Sequence, residues 1–300
     1  AGELEMVLDI GPLAFELLRF DDNQLEQVGI EPHDRETDED QVHDDRGRDD
    51  VAGSADVDLE HHEAGNHCRG DEFVGEQAGI GIGAGHIRAI GSPIRKGDTS
   101  HTGVIPFYKM FQSATRSCSQ GGVRNGAATL YYPIWHLEVE DLLVLKNNKG
   151  TEDNRVRHID YGVQFNKLMY ERLITNSEIT LFSPSDVPDL YETFFNDQEK
   201  FKELYETAER NTHLRKKVVK AVDLFSTFME ERKNTGRVYL MNVDHANDHS
   251  SFKTDVAPIR QSNLCCEINL PTKPLKDFND PDGEIALCTL SAINWGLIRS

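Results

Sequence analysis

The sequence predicts an α/β fold with a largely parallel sheet. Short apolar runs of strand-like composition alternate along the chain with longer segments whose apolar residues recur at helical spacing. Strands separated by helices favour parallel pairing, because a parallel neighbour needs a long crossover connection. Strands are predicted at residues 127–133, 237–243 and 284–293.

Four helices are predicted between and beside these strands. The first has Pro106 in its opening turn, where the missing N–H of proline is tolerated. The last is followed by the stop signal Asn234-Thr235-Gly236. The predicted helices cover residues 106–116, 134–146, 163–175 and 217–233.

The charge is concentrated at the front of the chain. Residues 1–76 contain 24 acidic residues, five arginines and no lysine, whereas residues 77–300 are close to neutral. A strongly charged stretch with few aromatic residues buries too little apolar surface to fold by itself. We therefore divide the chain into an acidic segment of low order, 1–76, and a globular part, 77–300. Residues 3–20 read either as a short amphipathic helix or as an unstructured tail.

The cysteine count gives no sign of a secreted protein. An odd, sparse set of five does not predict a disulfide scaffold. No run is long and apolar enough to span a membrane, and the first 20 residues lack the features of a signal peptide. We expect a protein of the reducing cytoplasm with no membrane contact. The cysteines are Cys68, Cys118, Cys265, Cys266 and Cys288.

One short segment combines a thiol, a carboxylate and an amide. Asn263, Cys265 and Glu267 stand at alternate positions, so an extended backbone would direct all three side chains to one face. Such a set suits catalysis, although a hairpin with an incidental cysteine pair would give the same letters. No Cys-x-x-Cys spacing is present, so we expect no metal site. Cys288, in an apolar run, would by itself be a small core residue.

Two glycine-rich segments could bind phosphate. Residues 79–85 repeat glycine at every second position, but they do not fit the dinucleotide fingerprint GxGxxG. Arg88 and Arg95 follow this segment, and residues 117–126 form a second glycine-rich loop. Guanidinium groups and bare backbone amides suit phosphate. Solvated surface turns remain the alternative for each loop taken alone.

Six longer segments together resemble the sequences of one protein family. Their sequences are HTGVIPFYKMFQSATRSCSQGGVRNGAATLYYPIWHLEVEDLLVLKNNKG, RVRHIDYGVQFNKLMYERL, LFSPSDVPDLY, TGRVYLMNVDHAN, APIRQSNLCCEINLPTKPL and GEIALCTLSAINWG. From about Gln77 to Gly296 the chain resembles the large, catalytic subunit of class I ribonucleotide reductases. The resemblance implies a ten-stranded α/β barrel, of which residues 77–300 would supply the first half-barrel and the finger loop.

The resemblance also implies a reaction. Members reduce ribonucleoside diphosphates to deoxyribonucleoside diphosphates for DNA precursor synthesis by thiyl-radical chemistry. Cys265 matches the finger-loop cysteine that becomes the radical and removes the 3′ hydrogen. Glu267 matches the carboxylate that takes the 3′-hydroxyl proton, and Asn263 the amide that holds the substrate. Cys288 matches one of two cysteines that deliver reducing equivalents and close to a disulfide.

Two further loops match the allosteric apparatus of the family. Arg88 and Arg95 fall in its first effector loop. The second loop links the bound deoxynucleotide to the choice of substrate base, and the matching positions are Cys118, Ser119, Gln120 and Arg124.

The resemblance implies partners rather than a resident cofactor. A small subunit with a di-iron centre would supply the radical, and thioredoxin or glutaredoxin would restore the dithiol. Deoxynucleoside triphosphates with magnesium, or ATP, would bind as effectors, and the large subunit would be a homodimer.

The match fails at several functional features of the family. The second redox cysteine of the family should lie near residues 48–53, which contain no cysteine. The second half-barrel and the tyrosine pair that passes the radical are not matched either, so we expect an incomplete chain that is inactive alone. A catalytically silent nucleotide-binding or interaction protein is the alternative. A glycyl-radical enzyme is a third, disfavoured because no glycyl-radical motif is visible.

Overall fold

The computed structural model describes residues 4–9, 79–94, 97–117, 119–120, 124–273 and 281–289. In chain order its strands and helices are β1 (Leu4–Asp9), β2 (Gly79–Gly83), β3 (Pro93–Ile94), β4 (Thr99–Ser100), α1 (Ile105–Ser117), β5 (Ser119–Gln120), β6 (Arg124–Asn125), β7 (Ala127–Pro133), α2 (Val139–Leu143), β8 (Asp160–Phe165), α3 (Lys167–Ile174), β9 (Glu178–Phe182), α4 (Pro188–Asn196), α5 (Gln198–Arg210), β10 (Lys216–Lys220), α6 (Ala221–Thr235), β11 (Val238–Asn242), α7 (Val243–Asp248) and β12 (Ala286–Thr289).

One six-stranded sheet organises the chain. Its order is β11-β8-β7-β2-β1-β12, and every pair from β11 to β1 is parallel. Strand β12 pairs antiparallel with β1 at one edge. The predicted α/β class with a largely parallel sheet is therefore confirmed. Among the described residues the sheet stays open, as expected for part of a barrel.

The central strands are buried on both faces, as is usual for parallel sheets. All six residues of β8 and six of the seven residues of β7 are buried. On one face, aromatic side chains from α1, β7 and β8 pack together, with ring centroids 6.1–6.4 Å apart in the cluster Tyr108, Tyr132 and Tyr161. The other face receives the loop that carries Cys265.

Several predicted elements agree with the structure. The predicted helix at 106–116 and the strands at 127–133 and 237–243 correspond to α1, β7 and β11. The predicted strand at 284–293 corresponds to β12 over Ala286–Thr289, and its remaining C-terminal residues lie outside the described residues.

Other predicted boundaries were wrong, because apolar side chains alone do not separate a buried strand from a helix. The helix predicted from residue 163 begins only after Asn166, whose side chain accepts a hydrogen bond from the Met169 N–H at 3.4 Å. The residues before this cap belong to β8. The helix predicted from residue 217 begins at Ala221, since residues 216–220 pair with β9. Only Val139–Leu143 of the helix predicted at 134–146 is helical.

The front of the chain contributes a strand to the sheet. Residues 4–9 form β1, where the sequence suggested a short helix or an unstructured tail. The register pairs Glu5 with Gly79 in β2 and with Cys288 in β12. The rest of the acidic segment, residues 10–76, lies outside the described residues.

The glycine-rich segment is a strand rather than a phosphate loop. Strand β2 is buried throughout, and the backbone of residues 262–263 crosses it at Gly81. A Cβ atom on Gly81 would lie 1.8 Å from the Ser262 carbonyl oxygen and 2.8 Å from the Asn263 Cα. Because both neighbours are backbone atoms, no rotamer change relieves the clash.

We therefore expect Gly81→Ala to displace the loop over β2 and to lower the free energy of unfolding by about 1–3 kcal/mol. Urea denaturation measures the loss, and hydrogen exchange of residues 261–268 locates it. Gly97→Ala is the control, because a Cβ there meets nothing within 4 Å although its φ of +96° adds backbone strain. Unchanged exchange at 261–268 in Gly81→Ala would contradict the packing described here.

Candidate active site

The loop formed by residues 260–268, hereafter the finger loop, lies on the face of the sheet opposite the tyrosine cluster. Three polar side chains from adjacent strands bind its backbone carbonyls. The Thr129 hydroxyl donates to the Leu264 carbonyl at 2.5 Å, and the Tyr131 hydroxyl donates to the Asn263 carbonyl at 2.6 Å. Gln164 donates to the Arg260 carbonyl in the same way. Thr129 and Tyr131 are alternate residues of β7, so both point to this face.

Asn263 organises the finger loop from inside. Its side chain is fully buried, and its Oδ1 accepts the N–H groups of Glu267 at 3.1 Å and Ile268 at 3.2 Å. Its Nδ2 donates to Glu267 Oε1 at 2.7 Å. The Ser262 hydroxyl closes the loop by donating to the Ile268 carbonyl at 2.6 Å. The amide thus fixes both the backbone and the carboxylate of Glu267.

The finger loop is a turn rather than an extended segment. Cys266 has a φ of +64°, and its N–H donates to the Asn263 carbonyl at 3.4 Å. The prediction that alternation on an extended backbone would align Asn263, Cys265 and Glu267 was therefore wrong in its reason. The turn nevertheless joins Asn263 to Glu267, and Cys265 lies between them with an exposed side chain.

The two adjacent cysteines have different surroundings. Cys265 is exposed, whereas Cys266 is half-buried and lies in hydrogen-bonding contact with the Tyr131 hydroxyl. Burial raises the pKa of the Cys266 thiol, and the contact with Tyr131 opposes that rise. Cys265 is thus the thiol of this pair that a substrate can approach.

Cys288 lies in β12, at the edge of the sheet. Strand β1 separates it from β2, where the finger loop crosses, so its backbone stands about 10 Å from β2 at the usual strand spacing. Its antiparallel partner across the β1–β12 pair is Glu5. The position that faces Cys288 is therefore occupied by an acidic residue.

The residues predicted to bind an effector fall in two places. Arg88 is half-buried in the turn after β2, and its guanidinium donates to the Pro93 carbonyl at 3.2 Å. Ser119, Gln120 and Arg124 belong to the short hairpin β5–β6, in which Gln120 pairs with Arg124. Arg95 and Cys118 lie outside the described residues.

Clusters of metal-ligating side chains and membrane-spanning helices are both absent from the described part of the chain. No three His, Cys, Asp or Glu side chains gather there in a way that could hold a metal ion. None of the helices described above is both long and apolar enough to cross a membrane.

The sequence reasoning missed the residues that hold the finger loop. Thr129, Tyr131 and Gln164 lie in strands far from residue 260 in sequence, and their partners are backbone carbonyls that no motif marks. Gly81 was open to detection, because a glycine inside a strand often marks a close backbone approach.

An open, largely parallel sheet with a cysteine-bearing loop packed on one face defines the class of this protein, an α/β domain that presents an exposed thiol beside a carboxylate. Residues 71–298 match the sequence model of the family described as "Ribonucleotide reductase, barrel domain". The chain belongs to this family.

Individual relatives agree with the family match. The chain is 69% identical over 229 residues to the ribonucleoside-diphosphate reductase subunit alpha of Haemophilus influenzae, and 66% identical over 229 residues to that of Buchnera aphidicola from Acyrthosiphon pisum. Each alignment covers 76% of this chain and 30% of the relative. The subunit alpha of ribonucleoside-diphosphate reductase 1 from Escherichia coli is 66% identical over 206 residues, which cover 69% of this chain and 27% of that protein. The chain thus spans about 30% of the length of these curated relatives.

We expect Tyr131→Phe to lower the free energy of unfolding by about 1 kcal/mol, because it removes the shorter of the two hydrogen bonds that the Asn263 carbonyl accepts. Urea denaturation measures the change. Tyr132→Phe is the matched control, since the Tyr132 hydroxyl is buried but has no hydrogen-bond partner among the described residues. Equal effects of the two substitutions would show that the Tyr131 bond does not hold the finger loop.

The neighbouring cysteines should also differ in reactivity. At pH 8 we expect iodoacetamide to modify Cys265 at least about threefold faster than Cys266, because exposure and thiolate fraction set the rate. Peptide mass spectrometry over a time course separates the two sites. Faster modification of Cys266 would contradict the orientation of the turn.

Proposed function

We propose that residues 77–300 supply the radical-bearing part of an enzyme that reduces ribonucleoside diphosphates by thiyl-radical chemistry, with Cys265 as the radical residue. The observation that carries this proposal is the finger loop, which presents an exposed thiol beside a carboxylate fixed by a buried amide. The family match and the reductase names of the relatives support the same reaction.

Three residues of the finger loop have distinct tasks in this reaction. The sulfur of Cys265 holds the unpaired electron and takes the 3′ hydrogen atom of the ribose. Glu267 accepts the 3′-hydroxyl proton as a general base. Asn263 holds the carboxylate of Glu267 in position through Nδ2. Its hydrogen bond to the substrate requires the second Nδ2 hydrogen to become accessible, because the side chain is buried in this structure. The fixed backbone around Asn263 keeps these groups in register, which is what preorganisation requires.

Effector control would use the loops on either side of α1. Arg88 and Arg95 bind the phosphates of a deoxynucleoside triphosphate with magnesium, or of ATP. The hairpin that contains Gln120 and Arg124 carries the signal to the substrate base, with Cys118 and Ser119 at its start. Coupling of this kind amounts to about 1–3 kcal/mol between two sites.

The remaining chemistry is assigned to partners. A metal-containing small subunit, of the di-iron kind, generates the radical, and thioredoxin or glutaredoxin reduces the dithiol after each turnover. The large subunit acts as a homodimer in the cytoplasm.

The reducing step lacks one thiol in this chain. Cys288 would deliver one reducing equivalent and close a disulfide with a second cysteine, but its cross-strand partner is Glu5. We propose that the 300-residue chain by itself does not turn over. The missing cysteine near residues 48–53 also favours the second candidate function, a catalytically silent protein that binds nucleotides or another protein.

A chimera separates these two functions. Residues 77–273 replace the matching segment in subunit alpha of Haemophilus influenzae, so that the relative supplies the second redox cysteine. We expect this chimera, with a small subunit and thioredoxin, to reduce CDP through multiple turnovers. Cys265→Ser in the chimera should abolish product, because a hydroxyl cannot form the required radical.

Cys266→Ser is the matched control and should keep most of the activity. A folded chimera that yields no dCDP, or whose activity survives Cys265→Ser, would reject the proposed function.

A further inference from the structure

Two side chains of opposite charge, Glu138 and Arg215, bind the turn that carries Arg88. Glu138 Oε2 accepts the Ile90 N–H at 2.8 Å, and the Arg215 guanidinium donates to the Ile90 carbonyl. Ile90 lies two residues after Arg88, and its backbone N–H and carbonyl are therefore each bound by one of these side chains. The segment of residues 84–94 is called the Arg88 loop below.

Glu138 also holds the start of α1. The Val104 N–H, immediately before the helix, points at the Glu138 carboxylate at 3.2–3.4 Å. A carboxylate at this end of a helix interacts favourably with the helix dipole, and here it also satisfies the N–H of the residue that precedes the first turn. A Cβ atom on Gly103 would lie 2.7 Å from Glu138 Oε1, so the approach leaves no spare room.

The Glu138 carboxylate is itself fixed. The residue is only 7% exposed, and its own N–H donates to His136 Nδ1 at 3.1 Å. The other ring nitrogen of His136 lies 2.9 Å from the Ile87 carbonyl in the Arg88 loop. Burial lowers the pKa of His136 to about 4, so the ring is neutral at pH 7 and its Nε2 donates to that carbonyl.

Ser183 and Arg215 form further hydrogen bonds with the Arg88 loop. Ser183, at the end of β9, accepts the Ala89 N–H at 3.0 Å and lies 3.1 Å from the Ser92 hydroxyl. Arg215 also donates to the Ser92 hydroxyl at 2.6 Å. The Arg88 loop is therefore fixed by side chains that the sheet and its connections hold rigidly.

We propose that Glu138 is a positioning residue for effector binding, which joins the Arg88 loop to the N-terminus of α1 so that nucleotide bound at Arg88 is sensed by the helix. Along the chain, the C-terminal end of α1 leads to the hairpin β5–β6. The contacts of Glu138, together with α1, therefore connect the two predicted effector loops. The inference rests on the proposed function, because it presumes that a deoxynucleoside triphosphate binds at Arg88.

The test measures binding of dTTP with magnesium to the full 300-residue chain by equilibrium dialysis. Glu138→Gln keeps a neutral acceptor and should weaken binding about threefold, whereas Glu138→Ala removes the acceptor and should weaken it about tenfold or more. Arg215→Lys, which cannot hold both partners with a planar fork, should weaken it about threefold. Glu140→Gln is the matched control, since Glu140 is an exposed acidic residue of α2 paired with Lys217, and should leave binding unchanged.

A second readout separates positioning from general stability. Hydrogen exchange at residues 87–94 and 104–108 should rise in Glu138→Gln, while exchange in β7 and β8 stays as in the wild type. Glu138→Gln and Arg215→Lys retain polar side chains, so they test the contacts with the Arg88 loop even where Glu138→Ala fails to fold.

The outcomes are distinct. Wild-type chain that binds no dTTP overturns the proposed effector site at Arg88, and the inference falls with it, whereas the proposed reduction is tested separately by the chimera. Wild-type binding that Glu138→Gln and Arg215→Lys leave unchanged overturns the inference alone. Weaker binding in both, with the graded loss at Glu138, is the expected result.

Discussion

The candidate site depends on a direct backbone contact between the finger loop and strand β2. Gly81 leaves room for the Ser262 carbonyl at a distance that any side chain would forbid. This contact sets the depth of the finger loop on the sheet, and the depth determines which hydroxyls reach it. Thr129 and Tyr131 of the next strand then bind consecutive carbonyls at 2.5 and 2.6 Å. A shallower loop would break both bonds at once.

Within the finger loop, the amide of Asn263 performs a task that no other residue type performs as well. It accepts two backbone N–H groups and donates to a carboxylate. Aspartate would accept the two N–H groups but repel Glu267, and leucine would leave buried polar groups unpaired at a cost of about 1–3 kcal/mol each. Stability of the turn and placement of the carboxylate therefore depend on the same side chain.

The sequence predicts the sheet better than it predicts the site. Apolar patterning identifies β7, β11 and α1, because burial on a face leaves a periodic trace. It misplaces the starts of α3 and α6, where a strand and a helix follow each other within one apolar stretch and only a cap such as Asn166 marks the boundary. Pairing with β2 and β12 is what makes residues 4–9 a strand, and a partner distant in sequence leaves no local signal.

Local sequence likewise indicates some of the site residues but not their arrangement. Local spacing brings Asn263, Cys265 and Glu267 to attention, since thiol, carboxylate and amide within five residues are chemically suggestive. Their true arrangement depends on the left-handed backbone at Cys266, which no local pattern favours for that residue. Tyr131 and Glu138 bind segments more than 30 residues away, so only the folded chain reveals them.

The finger loop and the Arg88 loop are anchored by different combinations of groups. Neutral hydroxyl and amide donors bind three finger-loop carbonyls, and Arg260 adds an ion pair with Glu192 at 2.6 Å. In the Arg88 loop, Glu138 and Arg215 bind both polar backbone groups of Ile90. Charge-assisted hydrogen bonds are roughly twice as strong as neutral ones, so the ionised groups at Ile90 fix the backbone two residues beyond Arg88 more firmly than neutral donors would.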